Sequence, residues 1–124
     1  MSTYMYVESH SPIAAPLVIA PKETAPFIRF CGDYVWHNQY LRVGHYYIPN
    51  VPHSIEKAQG FKYFIVLDLT NSFHQIPLGD ISSGKLSVIT PWGLVKPRFL
   101  PEGVAPASGT LQRMVMPLFS GFDD

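Results

Sequence analysis

The chain holds a single cysteine, Cys31, so no internal disulfide can form. That fits a reducing compartment. It also lacks a charge of one sign: nine Lys and Arg balance nine Asp and Glu. Free-standing nucleic-acid binders usually carry a basic excess, because phosphate contacts dominate their affinity. The balance counts against autonomous DNA or RNA binding and leaves room only for a local patch. No apolar run reaches the ~18 residues of a bilayer span. The opening "MSTYMYVESHS" has no positive segment followed by an apolar one, so it is not a secretory signal, and an intracellular location is expected. There is no internal repeat and no low-complexity tract.

What is present suits one small domain. Of 124 residues, 47% are hydrophobic, enough for a core, while twelve prolines and nine glycines argue for frequent turns and against long helices. Residues 1–10 read as a polar, aromatic-tipped tail. "SPIAAPLVIAPK" (11–22) is apolar but broken by Pro12, Pro16 and Pro21, which predicts an extended segment or edge strand. "FIRFC" (27–31) predicts a short strand, and "GDYVWHNQY" turns at Gly32-Asp33 before becoming ambiguous. A short helix is expected over 50–60, with Pro52 in its first turn and Gly60 at its end. "KYFIVLDL" (62–69) is the strongest strand signal, and its continuous apolar character predicts burial on both faces. "KLSVIT" and "LVKPRFL" flank "PWG" as a hairpin. Ala107, Leu111, Met114, Val115 and Leu118 have helical spacing, with Pro117 a kink. The fold class expected is α+β: a small antiparallel sheet with two or three short helices.

Three stretches could carry chemistry. Asp68 ends the apolar run, and an ionised carboxylate there is costly to bury unless something positive meets it. Mg²⁺ would serve, since it takes oxygen ligands and needs only one or two carboxylates. The alternative is that Asp68 or Thr70 caps a turn through "NSFHQ". Lys22 and Arg29 flank the turn-prone "ETAP"; they could grip a triphosphate, Arg29 with a planar fork, or stand as solvated surface charges. "LPEGVAPASGTLQRM" (100–114) runs from a Pro–Gly turn into a helix of small residues from which Gln112 and Arg113 project. It could admit a ligand closely or be an ordinary connection. His10, His37, His45, His53 and His74 lack zinc spacing, and packed or solvated imidazoles are expected. Ser72 and His74 beside Asp68 lack a nucleophile-elbow motif, and Cys31 reads as a small thiol packed within a strand.

Together these stretches resemble the reverse transcriptase domain of retroelement polyproteins, closest to the gypsy-type LTR retrotransposons, over residues 11–119. "SPIAAPLVIAPK" resembles the family's opening Ser-Pro-x-x-[Ser/Ala]-Pro-x-x-x-x-x-Lys. "RFCGDYVWHN" resembles Arg-x-Cys-x-Asp-Tyr-x-x-Leu-Asn, with Arg29, Cys31, Asp33, Tyr34 and Asn38 in register. "YYIP" resembles Tyr-Pro-Leu-Pro. "KYFIVLDLTNSFHQIPL" resembles the first catalytic motif, and "WGLVKPRFLPEG" with "LQRM" the segment leading into the helix beneath the template–primer.

The resemblance implies a partial fingers–palm of a right-hand polymerase. Residues 1–47 would be tail and fingers, 48–78 palm with the first catalytic strand, 79–100 a fingers hairpin and 101–124 palm helix and terminus, all one structural unit. It implies Asp68 as the first Mg²⁺-binding aspartate and Phe73 as the bulk that rejects a 2′-hydroxyl, with its backbone amide near the nucleotide. Lys22 and Arg29 would hold the nucleotide's phosphates; Gly103 and Gln112 would line the nucleotide and template pocket. The chemistry takes two metals, and the family's other carboxylates come from a Tyr-x-Asp-Asp hairpin. Asp123 and Asp124 lie only 55 and 56 residues beyond Asp68, without the apolar strand that precedes that motif, and read as a polar terminus. Val35, Glu102 and the displaced proline of "GVAPASG" also depart from the pattern.

Two functions follow. In the first, the chain is an RNA-directed DNA polymerase fragment, inactive alone, with Mg²⁺, template–primer and dNTP bound only by the full-length ancestor. In the second, it is a repurposed fragment serving as a structural subunit, with a protein partner covering the truncated palm.

Overall fold

The computed structural model describes residues 4–45, 47 and 49–121. Five strands form one sheet: β1 (Tyr6–Glu8), β2 (Ala15–Pro21), β3 (Ile28–Gly32), β4 (Val88–Thr90) and β5 (Gly93–Pro97), in the order β1-β5-β4-β2-β3. Four α-helices accompany them: α1 (Val35–Asn38), α2 (Val51–Ala58), α3 (Asp80–Lys85) and α4 (Ala107–Val115). Two 3-10 turns, Phe73–Gln75 and Met116–Phe119, complete the described elements. The chain is thus a small α+β domain.

The sheet is mixed, not antiparallel as expected, because β2 runs parallel to β4 while every other pair is antiparallel. Nor is β2 an edge strand. Ala15 and Pro16 pair with β4, and residues 17–21 pair with β3. The strand changes neighbours at Pro16, and Pro21 stands at its far end. Neither imide therefore interrupts the middle of a ladder. The expected tail at residues 1–10 contains β1, which pairs with β5 through Tyr6, Val7 and Glu8.

Several local signals are realised as expected. Helix α2 starts after Asn50 with Pro52 in its first turn, and Gly60 follows with φ +94°. Pro91, Trp92 and Gly93 join β4 to β5, where the Thr90 hydroxyl donates to Gly93 O (2.7 Å) and accepts from Trp92 N (3.2 Å). Helix α4 begins at Ala107 and passes at Met116 into the 3-10 turn containing Pro117.

The core gathers on one side of the sheet from Ala15, Tyr34, Ile76, Leu86, Val88, Leu100, Val104 and Ala107. Complete burial of a large apolar side chain stabilises by about 1.5–3 kcal/mol. Tyr34 is the largest group in it, 2% exposed, and its hydroxyl donates to Leu86 O at 2.8 Å. Its ring lies so close to Gly32 that a Cβ there would stand 2.7 Å from a ring carbon. Ser9 and Ser87 share a buried hydroxyl hydrogen bond of 2.7 Å, which ties the segment after β1 to the start of β4.

Residues 62–69 overturn the clearest expectation. They form no strand, and no described residue pairs with them. Tyr63 and Val66 are each 91% exposed, and Phe64, Ile65 and Leu67 are exposed as well. An apolar run becomes a buried strand only where neighbours satisfy its backbone and cover its side chains. Among the described residues nothing does either.

Candidate functional site

Asp68 sits in that exposed segment, so the resemblance's strand tip is absent here. Among the described residues no hydrogen bond or ion pair reaches its carboxylate, and among them no group of three or more His, Cys, Asp or Glu side chains could hold a metal. Asp123 and Asp124 lie outside the described residues. The capping alternative fails. Ser72 precedes the 3-10 turn Phe73–Gln75, and no side chain caps it. The turn is closed instead by Gln75, whose Nε2 donates to Thr70 O at 2.7 Å. Asn71 has φ +47°, a left-handed conformation that asparagine tolerates.

Phe73 is half-buried and packs against the core, which anchors the turn five residues beyond Asp68. A cleft of about 570 Å³ borders the same turn, with Thr70, Asn71 and His74 on one wall and Phe99 on the other. The Phe99 ring stacks on Tyr4 at 5.1 Å, and the Arg98 guanidinium lies 6.0 Å from each ring centroid.

A second grouping forms where the β2–β3 hairpin meets the loop before α4. The hairpin register sets Arg29 opposite Ala20, and Lys22 follows at the turn, its backbone N–H donating to Phe27 O (2.9 Å). Lys22 is exposed and unpaired among the described residues. Arg29 Nη1 lies 3.3 Å from Glu102 Oε2, both side chains about half exposed. Next to Glu102, Gly103 takes φ +89°, which favours glycine. Asn38 fixes this loop from α1: its Nδ2 donates to Gly103 O (2.9 Å), and its Oδ1 accepts from Ala105 N (2.8 Å). Asn38 and Gly103, far apart in sequence, are thereby joined. The motif pattern placed both in register, and their mutual hydrogen bond was not legible in it.

The carboxylate of Glu102 is felt beyond Arg29. Burial first, then Glu102, pushes the Cys31 thiol up, and Arg29 opposes them. Burial pushes the Tyr6 phenol up too, with Cys31 and Glu102 adding to it. Burial holds the Tyr34 phenol protonated far above its usual range, with Tyr6 and Cys31 contributing.

Gln112 is half-buried on α4. On the same helix, Gly109, Thr110 and Arg113 line a cleft of about 310 Å³ with Arg42 and His45 from the segment after α1. Among the described residues no carboxylate lines it. Sequence reading singled out Arg113 but missed this meeting of cations, since Arg42 lies 71 residues away and belongs to no motif. His37 occupies the position where the quoted pattern has leucine and is packed as an apolar residue would be. It is buried, neither ring nitrogen has a partner among the described residues, and Tyr34 and Trp36 meet it edge-on at 5.5 Å.

No family model matches the chain. Relatives do. The chain is 32% identical over 114 residues, 88% of its length, to the retrovirus-related Pol polyprotein from transposon 412 of Drosophila melanogaster. It is 32% identical over 110 residues to that from transposon 297 and over 111 residues to that from transposon opus, each match covering 86% of the chain. The matched regions span 9%, 10% and 11% of those polyproteins, so the chain corresponds to about a tenth of each relative. These matches support a retrotransposon Pol origin for the chain.

Proposed function

We propose that the chain is the fingers–palm part of a gypsy-type reverse transcriptase, and that it does not polymerise by itself. The observation that carries this reading is the likeness to three Pol polyproteins across nearly the whole chain. Asp68 is the first Mg²⁺ ligand in this reading. Phe73, held against the core, supplies bulk beneath the sugar; Lys22 and Arg29 face the phosphates; Gly103 and Gln112 border the nucleotide and template. The cationic cleft at Arg42 and Arg113 suits backbone phosphates of the template–primer.

Asp68 fits an Mg²⁺ site by chemistry, as an exposed carboxylate with no competing cation among the described residues. Mg²⁺ would supply charge neutralisation at the reacting phosphate. One carboxylate cannot clamp both the attacking and leaving oxygens, so further ligands must come from elsewhere. Purified chain given an RNA template, a DNA primer, dNTPs and Mg²⁺ should extend no primer. Incorporation lost on Asp68→Asn would show the chain to be a working polymerase core.

The exposed segment 61–69 favours a second element of the reading, a protein partner laid along it. Seven large apolar side chains in water there would drive association. Light scattering should show self-association or capture of a covering polypeptide. A well-behaved monomer that exchanges its 62–69 amides freely and binds no covering segment would contradict it.

A further inference from the structure

Glu102 sits in a loop fixed on both sides. Before it, Leu100 is buried and its N–H donates to Ile76 O at 2.8 Å. After it, Asn38 holds Gly103 and Ala105. The backbone therefore holds Glu102 where its carboxylate reaches to 3.3 Å from the guanidinium of Arg29. A guanidinium fork recognises carboxylate and phosphate oxygens by the same geometry. The carboxylate's field also reaches Cys31 on β3 and Tyr6 on β1, in each case as a smaller influence than burial.

We propose that Glu102 is a built-in anion that occupies the phosphate seat of Arg29 and so determines how weakly this hairpin takes a polyphosphate chain. This rests on the reading of Arg29 and Lys22 as phosphate-facing cations. The pair is half exposed, so it adds little to stability. Its effect falls on the ligand. An incoming polyphosphate must displace the carboxylate and then tolerate its repulsion, while Lys22, unpaired, is the only other cation on the hairpin among the described residues. Neutralising Glu102 removes the competitor and the repulsion together.

The test is calorimetric titration of the full chain with inorganic tripolyphosphate at low ionic strength. Glu102→Gln should bind about tenfold more tightly than the unsubstituted chain. The double variant Arg29→Gln with Glu102→Gln should lose that gain. A 5′-hydroxyl oligonucleotide, which offers phosphodiesters but no polyphosphate, should gain markedly less from Glu102→Gln. The proposal is overturned if Glu102→Gln leaves tripolyphosphate affinity unchanged, if the gain survives loss of Arg29, or if the oligonucleotide gains equally. The polymerase reading itself is tested by Asp68-dependent incorporation in a longer polyprotein that carries this chain, so its failure would be seen in a different measurement.

Discussion

Two apolar regions of this chain meet opposite fates. Tyr34, Val88 and Ala15 are almost wholly enclosed, while Tyr63, Ile65 and Val66 stand nearly fully in water. Composition does not separate them, since "KYFIVLDL" is the more hydrophobic stretch. Neighbours do. Val88 sits on β4 between β2 and β5, with its backbone paired on both sides. Residues 62–69 have no strand beside them among the described residues. Burial is a property of a set of elements, and a sequence displays only one member of that set at a time.

The sharpest way to break the contrast is to truncate each side. Tyr34→Ala removes a buried ring and its hydrogen bond to Leu86 O, and should cost about 3–5 kcal/mol in urea unfolding. A small loss would mean that the core is looser than its enclosure implies. The same residue gives a pH signature. Its folded pKa is raised, so the protonated phenol stabilises the fold at neutral pH, and that stability falls once pH exceeds the unfolded value near 10. The slope should approach ~1.4 kcal/mol per pH unit, with Tyr6 and Cys31 steepening it. Tyr34→Phe should flatten the decline, and an unchanged slope would assign it to other groups.

Asn38→Ala releases the loop at Gly103 and Ala105, and should cost about 1 kcal/mol because both bonds are partly solvated. Smallest of all, Val66→Ala should change stability by less than about 0.5 kcal/mol. A cost above about 1 kcal/mol would show that residues 62–69 are packed in solution and would erase the contrast.

The sequence was legible wherever the signal was local. Pro52 and Gly60 bracket α2, "PWG" joins β4 to β5, and the spacing from Ala107 marks α4. It misled where the answer depended on a distant partner. Pro16 looked like an edge marker, yet β2 uses it to pass from β4 to β3. Tyr6, Val7 and Glu8 looked like tail because nothing nearby foretells β5 as their partner. Helix α3 went unnoticed, since "DISSGK" carries too few apolar residues to show a period. At the candidate site the residue types could be named in advance, including Arg29 and Glu102. Their ion pair could not, because 73 positions separate them and only the fold brings them together.

The central claim is that Asp68 is a metal-ligating carboxylate which becomes competent only when the rest of a polymerase surrounds it. The direct measurement replaces the matched 114 residues of the transposon 412 Pol polyprotein with the corresponding residues of this chain. Mg²⁺-dependent dNTP incorporation on an RNA template is then followed with and without Asp68→Asn. The account expects incorporation that falls at least about a hundredfold on the substitution. A soluble, folded chimera whose incorporation is indifferent to Asp68, or absent altogether, would contradict it.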